Sequence, residues 1–418
     1  MLTREKYVEM FREAETLEQF KNSPTEGYEA IGERLFDASY DAQRGEIKKD
    51  TISFTAILEA ELGRKLNDPS IYLRGAGADE FLQKYRDDKS KRLIYEAVTS
   101  GAFPTITTTL IQKAVIKSYE YNTKDLVSLV TEESWTGGDT KKATIAGMRA
   151  FGPFLPRNQG ASYIADDTHE DYVDIYLQDF GREVALTWEA VKSDRTGQLL
   201  REAEAMGKAG ALHRGEMITQ TIEMVANRST MPGESATKAA SFNGQIALTQ
   251  VQLYSADHSS QAGLDGQTNA NLVVTNTALD HDGLKEAYNL LGVMTDGRGK
   301  KIMVTPSVLF VPTQMEVDAF SLIKTVNIPG TSNFGTNYFK DKFQIVGSPF
   351  FSDTNCWFLG DFKSQITWIW VDKPRTERLG TSSESFFHNK IVAQYLFAYH
   401  GGVGHTDYRY IVRSPGAS

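Results

Sequence analysis

Apolar positions near the N-terminus recur every three or four residues. They run from Tyr7 to Phe20, which predicts an amphipathic helix. Helical patterning returns over residues 52–66 and 79–99, between turn-rich stretches. Residues 1–102 nevertheless lack the apolar density of an independent domain. We therefore expect a helical N-terminal arm in this part of the chain.

A pattern with period two, typical of strands, lies in the middle of the chain. Apolar residues alternate with polar ones in two runs, Val173-Ile175-Leu177 and Val184-Leu186-Trp188. The sequence Asp179-Phe180-Gly181 between the runs favours a reversal of the chain. We therefore predict a long two-stranded hairpin with its turn at these three residues. Its polar flanks indicate that it projects from the body of the molecule.

Residues 188–228 form the longest helix candidate, although Gly207, Gly210 and Gly215 weaken the case for an unbroken helix. After the polar stretch 234–271, the pattern changes to short alternating elements. Helices are predicted at 279–296 and 313–324, and strands at 300–312, 343–351, 356–362, 365–374, 389–401 and 407–414. The whole pattern predicts an α+β fold with one dominant helix and antiparallel strands.

Composition narrows the functions open to these elements. The chain has 418 residues, a formal net charge of -9 and a sequence pI near 5.4. Its size favours more than one lobe, and its acidity argues against a protein that grips nucleic acid through phosphate contacts. Its one cysteine, Cys356, lies in an apolar run and is expected to be buried. Because no secretory signal or membrane-spanning run of ~20 apolar residues occurs, we expect synthesis in the host cytoplasm and no membrane partner.

A stretch near the C-terminus raises the question of an active site. His400, His405 and Asp407 surround a Gly-Gly-Val-Gly run, so they can be read as metal ligands of an enzyme. The glycines disfavour a helix there, and a turn before the last strand is the competing interpretation.

Motifs of catalysis are absent elsewhere. The chain has no P-loop, no nucleophile elbow and no zinc-protease or paired-cysteine motif. We therefore assign no catalytic, cofactor-binding or metal residue, and we expect no enzyme activity and no cofactor.

The order of the elements resembles the major capsid protein of tailed bacteriophages, which has the Hong Kong-97-type fold. The most specific segments are "CWFLGDFKSQITWIWVDKPRTERL", "SFFHNKIVAQYLFAYHGGVGHTDYRYIV" and "GDTKKATIAGMRAFGPFLPRNQGASY". They are similar, in turn, to that family's Leu-Gly-Asp-Phe strand, its closing strand pair and the approach to its extended loop. The resemblance covers residues 103–415, approximately.

The resemblance implies a division of the chain into the parts of that fold. These are a helical N-terminal arm (1–102), the start of the peripheral domain (103–156), the extended loop, a β-hairpin (157–187), the spine helix of the peripheral domain (188–228), the axial domain (229–352), returning peripheral strands (353–400), and the C-terminal strand and tail (401–418). On this scheme the glycine run beside His400 is a turn between lobes.

The resemblance also implies a structural function in the virion. Copies would assemble into pentamers and hexamers of an icosahedral shell that encloses phage double-stranded DNA without reading its sequence. A portal, and a scaffold, maturation protease or decoration protein, would be further partners. The residues expected to contact neighbouring subunits are Tyr172, Tyr176, Phe180, Arg182 and Trp188. Two alternatives stay open: an encapsulin-type compartment shell of the same fold, and a metal-dependent enzyme that uses His400, His405 and Asp407.

Some members of that family weld neighbouring subunits with a Lys–Asn isopeptide bond that a glutamate promotes. Alignment places Asn389 on the acceptor asparagine but Leu396 on the glutamate, and residues 157–189 contain no lysine. We therefore expect no covalent cross-linking and a structural role for Asn389.

Overall fold

The computed structural model describes residues 24–41, 43–44, 46–47, 57, 102–148, 170–187, 190, 198–223, 253–257, 269–296, 299–328, 335–380 and 391–416. The helix predicted from Tyr7 to Phe20, the helical patterning at 79–99 and most of the polar stretch 234–271 lie outside these ranges. The chain divides into two compact units.

The first unit comprises Met1–Thr123, Asp179–Leu212 and Asp372–Tyr399. Its helices and short strands are α1 (Pro24–Ser39), β1 (Tyr40–Asp41), β2 (Glu46–Ile47), most of α2 (Ala102–Val127) and the first half of α3 (Gln198–Glu223). Helix α3 packs closely on α2, because a Cβ at Gly207 would lie 2.2 Å from the Val115 carbonyl oxygen. The glycines of α3 thus permit close packing and do not interrupt the helix. Helix α2 is as long as α3, with 26 residues each, so the prediction of a single dominant helix is wrong.

The predicted hairpin with its turn at Asp179–Gly181 is also wrong. Strands β5 (Glu170–Tyr176) and β6 (Gln178–Thr187) follow one another almost without a break, and they pair with different strands. The partner of β5 is β4 (Lys142–Met148), which runs antiparallel to it with Met148 opposite Glu170. A hairpin-like strand pair therefore exists, but it lies earlier in the chain than predicted.

Strand β6 forms one edge of a four-stranded sheet. The strand order is β3 (Thr131–Ser134), β10 (Ile366–Gly380), β11 (Ile391–His405) and β6. Gly181 lies inside β6, where a Cβ would come within 3.2 Å of the Cβ of Ala398 on β11. This glycine therefore marks a close approach of two strands and not a reversal of the chain.

The second unit comprises Lys124–Gln178, His213–Val371 and His400–Ser418. Its main sheet has the order β12 (Ile411–Ser414), β9 (Trp357–Gly360), β7 (Val308–Pro312) and β8 (Gln344–Ser348), and its helices include α4 (His281–Val293), α5 (Glu316–Lys324) and the short α6 (Phe362–Gln365). A 3₁₀ turn, Thr313–Met315, leads from β7 into α5. Every residue of β7 is buried, as expected for a central strand.

The core of the second unit joins this sheet to α4 and α5. Trp357 and Leu359 of β9 pack with Leu284 and Leu291 of α4 and Ile323 of α5. Asp280 caps α4, since its carboxylate accepts a hydrogen bond from the Gly283 amide at 2.7 Å. The lobe is therefore a sheet with helices packed on an apolar face.

The mixed helix-and-sheet class is confirmed, with two corrections to the strands. Strands β7 and β8 pair in parallel, as do β10 and β3, so the expectation of antiparallel strands fails for these pairs. Strand β9, which the sequence analysis groups with the returning peripheral strands, pairs with β7 and β12 instead. Among the helices of the described ranges, none combines the length and the apolarity needed to cross a membrane.

Candidate functional site

The stretch considered as a metal site is built into a strand. Strand β11 continues as far as His405, so Gly401, Gly402 and Gly404 lie in extended chain and not in the predicted turn. A Cβ at Gly402 would lie 2.2 Å from the Tyr176 carbonyl oxygen, and one at Gly401 or Gly404 would also meet packed neighbours. The glycines are therefore explained by close packing, without a bound phosphate.

The side chain of His405 is buried in the second unit. Its Nε2 lies 2.7 Å from the Thr221 carbonyl oxygen, which can only accept, so Nε2 carries the proton. Its Nδ1 then accepts from the side-chain amide of Gln365 at 3.2 Å. Burial lowers the pKa of His405 to about 4, so the ring is neutral at physiological pH. Because both ring nitrogens are engaged, this histidine has no lone pair for a metal.

The Asp407 carboxylate is engaged by the residues that directly follow it in the chain. Its carboxylate accepts hydrogen bonds from the amides of Tyr408, at 2.6 Å, and Arg409, at 3.1 Å, and it pairs with the Arg409 guanidinium. The ranges that the structure describes contain no cluster of three or more potential metal ligands. His400, His405 and Asp407 do not form a metal site, and the interpretation as a metal-dependent enzyme is wrong.

A buried arginine joins α3 to the strands of the second unit. Arg214 is only 3% exposed, and its Nη2 donates to Glu132 of β3 at 2.5 Å. The guanidinium lies 4.5 Å from the ring centroid of Trp368 and 4.7 Å from that of Trp370, both on β10. The indole of Trp370 also donates to Glu132, at 3.1 Å. The Arg214 charge is paired within this cluster, although its Nε has no hydrogen-bond partner among the described residues. The role of the cluster is therefore to fix the helix on the sheet.

Helix α5 is apolar on two faces. One face buries Ala319, Leu322 and Ile323 in the core. Val317 and Phe320 point the other way and are 76% and 58% exposed, respectively. They are three residues apart and so are neighbours on the helix surface.

Two more exposed side chains belong to the connection that follows α5. Val326 and Tyr338 are both exposed, and the Asn337 amide donates to the Val326 carbonyl oxygen at 2.9 Å. The side chain of Asn337 donates to the Leu322 carbonyl oxygen at 2.7 Å, which ties the connection to the helix. We call Val317, Phe320, Val326 and Tyr338 the α5 surface. Exposed apolar groups on a helix and on the connection tied to it are candidates for a protein interaction site.

Comparison with protein families decides which class of protein carries this surface. A family model described as "Phage capsid protein" matches residues 171–414, which is more than half of the chain. The chain belongs to the phage capsid protein family. This capsid protein is therefore a structural shell protein of the virion and not an enzyme, as the order of its elements predicts. The match runs from β5 to β12 and includes the α5 surface.

Solved structures similar to this capsid protein include particle shells. The capsid of a native GTA particle is 11% identical, with 70% of this chain and 89% of that chain covered and a TM-score of 0.45. The capsid of the cyanophage P-SCSP1u is 10% identical, with 68% and 85% covered and a TM-score of 0.45. A virus-like particle from Pyrococcus furiosus is 7% identical, with 72% and 96% covered and a TM-score of 0.40. No curated protein matches the chain. At these scores no residue role is transferred.

The predicted contact residues of the capsid protein fall into three groups. Tyr176 and Arg182 are exposed, as a contact residue should be. Phe180 is half-buried, because its ring packs on an aromatic residue of β11 at 5.5 Å. Strand β5 includes Tyr172, but its side chain and all of Trp188 lie outside the described part. Their contacts with neighbouring subunits stay predictions.

Sequence reasoning missed the α5 surface. The available signal was that Val317 and Phe320 add apolar positions outside the single stripe that Ala319, Leu322 and Ile323 already supply. A short helix that is apolar on both faces needs a second partner for the outer face.

Proposed function

We propose that this protein is the major capsid protein whose copies form the pentamers and hexamers of an icosahedral shell around phage double-stranded DNA. Membership of the capsid family supports this function, and the α5 surface supplies a place for repeated contacts between copies. In the Hong Kong-97-type arrangement, α3 would be the spine helix. Strands β4 and β5 would belong to the extended loop, and the lobe of β7, β8, β9 and β12 with α4 and α5 would be the axial domain.

The occupant of the α5 surface is a second copy of this chain. A shell protein has to meet its own copies at every position, and the helix presents apolar side chains that the subunit leaves exposed. Burial of one large apolar side chain stabilises by about 1.5–3 kcal/mol relative to exposure. The same contact recurs around each capsomer, so a modest surface on one subunit has a large total effect on the shell.

Introducing charge into the α5 surface tests its role. The double variant V317D/F320D places two carboxylates in the interface while it leaves Ala319, Leu322 and Ile323 in the core. We expect the variant to match the unsubstituted protein in circular dichroism and to form no shells under electron microscopy. The control F320L keeps an apolar side chain at the same position and should still assemble. Normal shells from the double variant would show that copies meet elsewhere.

A deletion tests the extended loop separately. Met148 and Glu170 are opposite each other at the end of the β4–β5 pair, so residues 149–169 can be replaced by a two-residue Asn-Gly turn without a change of strand register. We expect a folded subunit that does not form closed shells. The matched control restores residues 149–169 in the same plasmid background. Closed shells from the deletion variant would refute an inter-subunit role for this segment.

Further partners follow from the same proposal. The net charge of -9 suits a wall that encloses DNA without gripping its phosphates, and no sequence-specific contact is required. A portal, and a scaffold, maturation protease or decoration protein, would complete the virion. Contacts through Tyr172, Tyr176, Phe180, Arg182 and Trp188 would link the β5–β6 region to neighbouring subunits. These contacts are non-covalent, because the alignment supplies Leu396 in place of a glutamate.

A further inference from the structure

A small hairpin of the first unit rests on two long helices. Strands β1 and β2 pair antiparallel, with Tyr40 opposite Ile47 and Asp41 opposite Glu46. The Asp41 carboxylate accepts from the Gln43 amide at 3.0 Å and so supports the turn. The hairpin thus has a defined local conformation of its own.

Each of the two helices makes a polar contact with the hairpin. On α2, the Tyr121 hydroxyl donates to the Gln43 carbonyl oxygen at 3.0 Å. On α3, a carboxylate oxygen of Glu204 accepts a short hydrogen bond from the Ile47 amide. Helix α2 also reaches α3 at this point, since the Ser118 hydroxyl donates to the Glu204 backbone carbonyl at 2.9 Å. Glu204 is therefore the acidic group at the junction of the hairpin and both helices.

The surroundings of Glu204 oppose its negative charge. Burial, with a smaller contribution from Glu46 on β2, raises the pKa of Glu204 to about 7. The Ile47 amide and Arg201, one turn earlier on α3, act in the opposite direction but do not offset burial. Tyr40 on β1 faces the same cluster, and its pKa is raised, chiefly by burial and in part by Glu204, whereas Lys117 on α2 lowers it. The pKa of Glu204 is thus moved close to neutral pH.

We propose that the hydrogen bond between the Ile47 amide and the Glu204 carboxyl is an acid-stabilised latch, which holds the β1–β2 hairpin on α3 while the carboxyl is protonated and releases it on ionisation. The neutral acid still offers its carbonyl oxygen to the amide. The ionised carboxylate keeps that hydrogen bond, but its charge is partly buried and lies near Glu46. Release of the hairpin exposes the carboxylate to water. This latch is independent of shell formation through the α5 surface.

The direction of the pH effect follows from proton linkage. With the hairpin closed, the pKa of Glu204 is about 7, and in the released, hydrated state it returns to its ordinary value of 4.5. The closed state therefore binds the proton more tightly, and the latch is fully effective below pH 4.5. As the pH rises from there through about 7, the ratio of closed to released hairpin falls by up to about tenfold per pH unit.

Hydrogen exchange of the full-length protein measures this ratio directly. Protection factors, corrected for the intrinsic pH dependence of exchange, are compared at pH 5.5 and pH 8 for a peptide that contains Ile47. We expect protection to fall by about thirtyfold at the higher pH, which is the change that one carboxyl with a pKa of about 7 when closed and 4.5 when released produces over this interval. The variant E204Q keeps a neutral acceptor in place, so its protection should be the same at both pH values.

Three controls separate a latch from a general loss of structure. E202Q removes a nearby exposed carboxylate of α3 and should leave the pH dependence intact. E46Q removes a charge that raises the pKa of Glu204 in the closed state, so it should make the fall in protection between pH 5.5 and pH 8 smaller. A peptide from β9 should keep its protection throughout. Equal protection of the Ile47 peptide at pH 5.5 and 8 in the unsubstituted protein, or an undiminished pH effect in E204Q, would overturn the proposal.

Discussion

Replacement of Arg214 by alanine tests how the capsid protein fixes its long helix α3. The guanidinium is buried, hydrogen-bonded to Glu132 and placed over the rings of Trp368 and Trp370. Alanine removes all of these contacts and leaves a cavity lined by the two indoles. The Glu132 side chain is 39% exposed, so water can partly solvate it after the change.

The expected loss of stability can be divided by its physical source. Loss of a hydrogen bond to a charged group costs about 1.5–3 kcal/mol, and the lower end applies because Glu132 regains water. Loss of the cation–π contacts costs about 1 kcal/mol. The buried methylenes of the arginine stem contribute about 0.8 kcal/mol each. Together we expect R214A to lower the free energy of unfolding by about 4 kcal/mol, within the range of about 3–5 kcal/mol for a broken buried pair.

Urea denaturation of unassembled protein, followed by tryptophan fluorescence, is the appropriate assay because two of the five tryptophans contact Arg214. The control R214M keeps the apolar stem and should lose only about half as much as R214A, since packing is retained. A double-mutant cycle with E132Q should give a coupling energy of about 1 kcal/mol or more. If R214A lost less than about 1 kcal/mol, the cluster would not be what fixes α3.

Three further predictions follow from the structure. G402A should destabilise the second unit by more than about 2 kcal/mol, since its Cβ would lie 2.2 Å from the Tyr176 carbonyl oxygen. G292A, whose Cβ would meet no neighbour within 4 Å, should instead stabilise α4 by about 0.5–1 kcal/mol. Thermal unfolding of the two variants and the unsubstituted protein measures both effects. The pKa of His405 falls from 6.5 to about 4 on folding, so the free energy of unfolding should drop by about 3 kcal/mol as the pH falls through that interval. Urea titrations at several pH values measure this dependence of stability on pH, which should disappear in H405Q. Mature particles boiled in denaturing detergent should run as a single band at monomer mass, because Leu396 stands where a glutamate would have to act with Asn389; a ladder of covalent oligomers would contradict this.

The periodicity of apolar residues correctly predicts several helices and strands. Helices α4 and α5 and the late strands β8 to β12 occur close to where the sequence places them, since the burial of their apolar residues determines each pattern. The same signal could not identify strand partners. Alternation from Val173 to Thr187 has the same period whether the chain folds back at Gly181 or continues straight, and the true partner of β5 is β4.

The same limit applies to glycines. The sequence predicts turns at Gly181 in β6 and Gly402 in β11, because glycine is common wherever the chain reverses. In the structure both lie in strands and are required by close neighbours, Ala398 for one and the Tyr176 carbonyl oxygen for the other. The sequence shows that a glycine has no side chain, but it does not show which neighbouring residue occupies the space where a Cβ would lie.

Electron cryomicroscopy of the particles that the unsubstituted protein forms on expression is the decisive test of the proposed function. We expect closed icosahedral shells made of hexamers and pentamers, in which the α5 surface of each subunit is buried against a second copy. Open tubes, single rings or a monodisperse unassembled protein would contradict the proposed function. Closed shells in which Val317 and Phe320 face solvent would keep the shell but refute the surface assigned to build it.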